Sequence, residues 1–318
     1  MRAAPRARVQ RRPVHGVLLL DKPLGLSSNQ ALQKAKWLLR AEKAGHTGTL
    51  DPLASGVLPL CFGAATKFSG LHLDADKTYE ATIRLGVTTS TGDAEGEVTD
   101  QRPVPPIALE QLEAVRQRFL GRIQQLPPMH SALKQDGKAL SEYARAGGTV
   151  ERVPREVQIH ELNLALAPDE QAQEAINLIV TCSKGTYVRT LGEAIGQALG
   201  CGGYLSMLRR TATGPFDAGQ CVSLAELEAI PEPERLRRLL PPQALLPDHC
   251  PITLGSDDAG RFLAGMRRRG DWPDAQRVAV YGESPHALLG TGHVKAGELI
   301  PTRLLSPLEL QQMLPSSF

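Results

Sequence analysis

No apolar run in this sequence approaches the ~18 residues a membrane-spanning helix needs, so no membrane span is expected. The five cysteines (Cys61, Cys182, Cys201, Cys221, Cys250) are odd in number, scattered and never spaced Cys-x-x-Cys. That pattern supports neither a disulfide framework nor a zinc site. The eight histidines are equally dispersed and suggest no metal cluster. The phosphate-cradling Gly-x-x-x-x-Gly-Lys-[Ser/Thr] loop is missing, and so is the Gly-x-Ser-x-Gly nucleophile elbow. A net charge of +2 is too small to imply a polyanionic partner by itself.

What is present is ordinary in bulk and uneven in detail. With 42 % hydrophobic and 22 % charged residues, the 318-residue chain reads as a globular protein of two domains. Residues 1–16 carry Arg2, Arg6, Arg8, Arg11 and Arg12 and no acid. Pro5 and Pro13 interrupt any amphipathic targeting helix there, so a disordered arm that touches nucleic acid, in a cytoplasmic protein, is the expectation. A second composition shift comes at residues 231–251, which hold six prolines. The short apolar runs that follow predict a small β domain over 250–318, with Arg267-Arg268-Arg269 before its first clear strand. Such a charge cluster suggests RNA contact only weakly, because most are solvated faces.

The body of the chain reads as mixed α and β. Ser27 caps a helix whose Ala31, Leu32, Ala35, Leu38 and Leu39 share one side. Val57–Phe62 reads as a buried strand, and Tyr79, Ala81, Ile83 and Leu85 alternate along another. Thr88–Asp100 reads as a polar loop. Helices are predicted around Leu109–Phe119 and Val188–Leu199, strands at 157–166 and 176–182, and a capping box at Ser223–Glu226.

The most informative stretch is Gly45-His46-Thr47-Gly48-Thr49-Leu50-Asp51-Pro52-Leu53-Ala54-Ser55-Gly56-Val57-Leu58. It sets one acid in a glycine-rich turn, directly before a proline and an apolar strand. Proline disfavours the α region for the residue before it, so Asp51 is expected to be extended. Presented this way, a lone carboxylate is a candidate nucleophile, although Asp-Pro alone is ordinarily a solvated turn. If Asp51 is buried it needs a cation, since desolvation alone keeps it protonated. Arg189, in Lys184-Gly185-Thr186-Tyr187-Val188-Arg189, is a candidate partner, with an ordinary surface arginine as the alternative.

These residues, with Gly16-Val17-Leu18-Leu19-Leu20-Asp21-Lys22-Pro23, Asp76-Lys77-Thr78-Tyr79, Ser131-Ala132-Leu133-Lys134 and Leu208-Arg209-Arg210, closely resemble the TruB family of bacterial tRNA pseudouridine synthases. The resemblance runs through ordered blocks over residues 16–217. It is looser over the C-terminal segment, which looks like a divergent RNA-binding domain of the PUA type. Thr49 and Ser55 stand where the family commonly has alanine and threonine, and both changes are conservative.

The resemblance implies an α+β fold: a mixed, largely antiparallel sheet flanked by helices, plus a small C-terminal β-barrel-like PUA domain. The implied divisions are a basic flexible tail at 1–15, a catalytic domain at 16–249 and an RNA-binding domain at 250–318. The implied activity is isomerisation of uridine to pseudouridine in the T-loop of tRNA, at position 55, by base flipping. No cofactor or metal is implied, the partner is the tRNA T-arm, and a monomer without an obligate protein partner is expected. Asp51 matches the catalytic aspartate, attacking C1′ of the ribose or C6 of the base. Tyr79 matches the tyrosine that stacks on the target base, Arg189 the partner of the aspartate, and Tyr187 and Leu208 match pocket walls. His46 matches the histidine that fills the space of the displaced nucleotide. Lys22 and Lys67 are expected to meet phosphates or brace the turn, and Asp93 to touch the pocket. Two other readings remain open on sequence grounds: a tRNA-folding factor, and a guide-dependent synthase.

Overall fold

The computed structural model describes residues 10–131, 133–148, 150–168 and 174–314. Arg2, Arg6 and Arg8 of the basic tail and Ala132 of the family blocks lie outside the described residues. The described end of the tail is anchored. Arg11 Nη1 donates to the Ala41 carbonyl at 3.0 Å, the Arg12 N–H donates to the Arg40 carbonyl at 2.8 Å, and Val14 is buried.

The architecture grows from two short apolar runs. Gly16–Lys22 and Ala54–Phe62 pair antiparallel over their length, from Gly16 opposite Phe62 to Lys22 opposite Gly56. Successive strand side chains point to opposite faces. Leu18, Leu20, Leu58 and Leu60 therefore enter one apolar core, while Val17, Leu19, Val57 and Cys61 enter another. Burial on both faces is why these strands are continuously apolar rather than alternating.

Around this pair the main sheet runs in the order Val222–Ser223, Gly16–Lys22, Ala54–Phe62, Gly203–Thr213, Lys77–Leu85, Glu174–Cys182, Arg155–Pro168, Gly121–Gln125. Only two neighbouring pairs on this path are parallel: Gly16–Lys22 with Val222–Ser223, and Ala54–Phe62 with Gly203–Thr213. The sheet is thus mixed and largely antiparallel, as expected. Helices Ser28–Leu38, Leu109–Phe119 and Val188–Ala198 contribute apolar residues to the first core. Ser27 caps the first of them in a reciprocal box with Gln30, and Ser223 does the same with Glu226 further on.

A five-stranded sheet follows, ordered Cys250–Leu254, Ala275–Gly282, Ala287–Lys295, Glu298–Leu304, Arg268–Arg269. Its Leu254, Val280 and Leu299, with Phe262 of the helix Ser256–Leu263, share the second core with Val17, Leu19 and Val57 of the main sheet. The small sheet is therefore seated on the back of the large one, while the front packs against the helices. Lys67 clips the two together: its Nζ pairs with Glu309 Oε2 at 2.6 Å and donates to the Leu304 carbonyl at 2.9 Å.

Thr88–Asp100 departs from expectation. It is a two-stranded hairpin, Val87–Thr89 with Val98–Gln101, and its turn is bound to the main sheet by the Leu205 N–H and the Gly92 carbonyl at 3.0 Å. Thr89 donates to the Asp93 carbonyl and Thr91 to its carboxylate. Within the turn Thr89, Thr91 and Asp93 satisfy one another, while the strand Val98–Gln101 is exposed.

One glycine sets how closely the central strands approach. Gly56 has φ +100°, and a Cβ there would stand 2.1 Å from the Arg210 carbonyl oxygen. Because backbone on backbone cannot yield cheaply, Gly56→Ala is expected to lower unfolding free energy by about 1–3 kcal/mol or more. Urea denaturation checks this, and an unchanged midpoint would contradict it.

Candidate active site

The turn carrying Asp51 is fixed from below by the first helix. Ser28 Oγ donates to the Leu50 carbonyl at 2.9 Å and accepts the Leu50 N–H at 2.7 Å. Gly25 N–H donates to the Pro52 carbonyl at 2.9 Å, tying the turn to the Lys22–Leu26 loop. Lys22 completes that loop: it is fully buried, and its Nζ donates to the Pro23 and Leu26 carbonyls at 2.9 and 2.6 Å.

Arg189, in the first turn of Val188–Ala198, gathers the rest. Its Nη2 lies 2.9 Å from Asp51 Oδ2 and donates to the His130 carbonyl at 2.7 Å. Its Nη1 donates to the Thr91 carbonyl at 3.0 Å and lies 3.4 Å from Asp93 Oδ2. The Arg189 side chain is 6 % exposed and that of Asp93 3 %, whereas Asp51 is 39 % exposed. The fork thus uses its planar geometry to join two carboxylates and two carbonyls from separated segments. Only the Asp51 end of this network opens outward.

It opens into a cavity of about 250 Å³. This is near the lower end of small-molecule sites, which run from roughly 300 Å³ upward. Asp51, Tyr79, Tyr187, Arg189 and Leu208 all line it, so these five predicted residues converge from four parts of the chain. His46 does not line it. It lies on the short Ala44–His46 strand, opposite Leu60, with a buried Nδ1 that finds no partner among the described residues.

For Lys22 the structure favours the second of its two alternatives, and for Lys67 and Asp93 it places the side chain elsewhere than expected. Lys22 braces the turn and is sealed from any phosphate. Lys67 is spent on Glu309 and Leu304. Asp93 reaches the site only through Arg189, its carboxylate also accepting the Glu95 N–H at 3.1 Å. Each of the three is held by an internal partner, Lys22 and Asp93 buried and Lys67 half-buried. In the C-terminal cluster, Arg268 pairs with Asp258 at 2.9 Å, and Arg267 and Arg269 both reach Glu298.

Sequence reasoning assigned no role to Lys77, His130, Ser131 or Arg210, which also line the cavity. Arg210 carried a signal: it follows Leu208 by two residues and so puts a charge on a core-facing strand position. Lys77 stands two residues before Tyr79 at the start of its strand, and His130 and Ser131 depend on loop placement and gave no signal.

The electrostatics follow from burial. Desolvation holds the Asp51 carboxyl above its ordinary 3.8, with Arg189 pulling it down and the Asp93 charge pushing it up. Burial, then Arg210, brings Lys77 down to about 8. Burial also lowers Lys22 to about 8, with Asp51 opposing, and depresses His46, helped by Arg210. The Tyr79 phenol is raised by burial and drawn back by Arg210, which hydrogen-bonds it.

Because the folded Asp51 carboxyl keeps its proton to higher pH than an unfolded one, its contribution to stability is present below the unfolded value. That contribution is lost as pH rises through the folded value. Asp93→Asn removes a charge that raises Asp51, so the Asp51 titration is expected to move to lower pH. Carboxyl-carbon NMR of both proteins reads this, and an upward shift would contradict the arrangement.

Residues 36–188 match the sequence profile of the TruB family pseudouridylate synthase N-terminal domain, and residues 189–245 match the tRNA pseudouridylate synthase B C-terminal domain. A tRNA pseudouridine synthase B of Verminephrobacter eiseniae is 65 % identical over 318 residues, covering 99 % of this chain and 96 % of the relative. One from Ralstonia nicotianae is 54 % identical over 309 residues, covering 96 % and 98 %. Among solved structures, a Cbf5-Nop10-Gar1 complex contains a chain that superposes with a TM-score of 0.68 at 25 % identity, covering 93 % of this chain and 86 % of that one. With these matches spanning nearly its whole length, and with the carboxylate, arginine and tyrosine of the resemblance meeting at one cavity, the chain belongs to the TruB family of pseudouridylate synthases.

Proposed function

We propose that this protein isomerises uridine to pseudouridine in the T-loop of tRNA, at position 55, with Asp51 as the nucleophile. The observation that carries this reading is the single carboxylate at the cavity: Asp51 is the only acid among its described lining residues, and a buried arginine aims it. Glycoside hydrolysis ordinarily needs a second carboxylate to protonate the leaving group or activate water. An isomerase has to keep the detached base and admit no water, which suits one acid in a small, partly apolar cavity.

The steps follow from what lines the wall. Isomerisation breaks N1–C1′, turns the uracil and rejoins it through C5. Asp51 attacks C1′ or C6, forming a covalent intermediate that divides one hard displacement into two easier ones. Extruding the base from a structured loop costs a few kcal/mol. Stacking on Tyr79 returns ~1–3 kcal/mol of it, with Leu208 and Tyr187 closing the sides. His46, beneath the turn and outside the wall, is assigned to the space the extruded nucleotide vacates. The catalytic domain is taken as 16–249, and 250–318 as the RNA-binding domain. With the basic N-terminus, that domain would supply phosphate contacts that add affinity without sequence information. Specificity would then lie in the shape of the T-loop.

Purified protein should therefore convert U55 in a bare tRNA transcript without any guide RNA, and should also convert it in an isolated T-arm hairpin. Mapping pseudouridine by mass spectrometry reads both. A transcript converted only after cellular RNA is added would mean a guide-dependent enzyme. A hairpin left untouched would remove T-arm shape as the determinant.

A further inference from the structure

Arg210 lines the cavity, is 1 % exposed and takes no part in the Asp51–Arg189 pairing. Its Nε donates to the Val57 carbonyl at 2.7 Å, its Nη2 to the Gly48 carbonyl at 3.1 Å, and it hydrogen-bonds the Tyr79 hydroxyl. All three partners are neutral, and among the described residues no carboxylate pairs with it. Burying a cation without a counter-charge is costly, and proteins ordinarily pair such groups. At the other end of the cavity, Arg189 serves two carboxylates at once. The Tyr79 side of the walls thus carries a positive charge that no carboxylate among the described residues pairs with directly.

Sheet register explains how it gets there. Lys22 lies opposite Gly56, Gly56 opposite Arg210, and Arg210 opposite Tyr79, in one row across four strands. Directly opposite residues present their side chains to the same face. Gly56 lets the Arg210 backbone come close in that row, and the guanidinium bridges from the catalytic turn at Gly48 to Tyr79.

The chemistry supplies a use for the charge, given the proposed reaction. If Asp51 attacks C1′, a carboxylate oxygen bonds to C1′ while the N1–C1′ pair stays on N1. If it attacks C6, the oxygen bonds to C6 and the C5=C6 pair moves into the C4 carbonyl as an enolate. Either way the negative charge leaves Asp51, now a neutral ester, and arrives on the uracil ring. We propose that Arg210 is the anion-stabilising group for that ring, holding the charge that departs from Asp51 while fixing Tyr79 and the Gly48 turn around it. Lys77, the other cavity cation on this side, is tied to the Leu73 and Ala75 carbonyls. Lowered to about 8, it is a weaker source of permanent charge than a guanidinium.

This inference rests on the uridine-isomerase reading, and the test separates the two. Single-turnover consumption of the parent nucleoside is measured for the wild type, Arg210→Met and Arg210→Lys, on tRNA transcripts carrying uridine or 5-fluorouridine at the target, because a fluorine at C5 cannot leave as the C5 proton does and the fluorinated product stays short of pseudouridine. Fluorine at C5 stabilises a ring anion by itself. Arg210→Met is expected to slow uridine about 100-fold or more, the magnitude of a lost oxyanion donor, with tRNA affinity held within about threefold. On 5-fluorouridine the same variant should lose markedly less, and Arg210→Lys should stay within about tenfold of wild type on both. Equal losses on the two substrates, or no loss on either, would overturn the proposal. Should the Met variant fail to fold, Arg210→Lys decides: a loss beyond about 100-fold with the charge retained would mean a purely structural arginine. A wild type inactive on uridine would instead sink the isomerase reading beneath it.

Discussion

Everything at the cavity depends on one buried cation being shared. Arg189 reaches the Asp51 turn, the Thr91–Asp93 turn of the hairpin and the His130 loop from a single helix position. Breaking a buried pair by removing one partner typically costs ~3–5 kcal/mol, because the other charge is left uncompensated. That penalty makes the three segments interdependent: none can move far without exposing Asp93 or Asp51 to an unpaired state. It also explains why Asp51 can be both desolvated and anionic. Burial pushes its carboxyl toward the proton, and the guanidinium resists.

The fold supplies this arrangement by giving the two faces of one sheet different work. The back face is consumed by the second apolar core, shared with the C-terminal sheet and clipped by Lys67 and Glu309. On the front face the parallel pairing of Ala54–Gly56 with Leu208–Arg210 brings the strand leaving the Asp51 turn beside two cavity residues. The antiparallel pairing of Arg210 with Tyr79 brings in a third. A family that moves a base within one nucleotide needs few groups held rigidly, and strands hold them more firmly than loops. The turn that carries Asp51 is itself stapled by Ser28.

Much of this was legible in the residues, for physical reasons. The Ser27 cap, the alternation of Tyr79, Ala81, Ile83 and Leu85, and the double-sided burial of Val57–Phe62 are local, so pattern suffices to find them. Of the five residues that meet at the cavity, Asp51 and its candidate partner Arg189 were legible from the turn and its need for a cation, while Tyr79, Tyr187 and Leu208 were found through resemblance; periodicity alone would have left Tyr79 as a core aromatic. What stayed hidden depends on pairing between distant segments. Lys22 and Asp93 carry no local sign of burial, and only tertiary partners make them internal. The hairpin at Val87–Gln101 read as a loop because its polar residues bond to each other rather than to a core. Arg210 acquires meaning only when Gly56 and Tyr79 are seen on either side of it.

The measurement that bears most directly on this account is tritium release from a tRNA transcript labelled at uracil C5, by the protein alone and by its Asp51→Asn variant. Joining C1′ to C5 expels that hydrogen, so release reports the isomerisation itself. The account predicts release by the wild type and none by the variant, with both still binding tRNA. Equal release by the two would make Asp51 a turn residue and contradict the account at its centre.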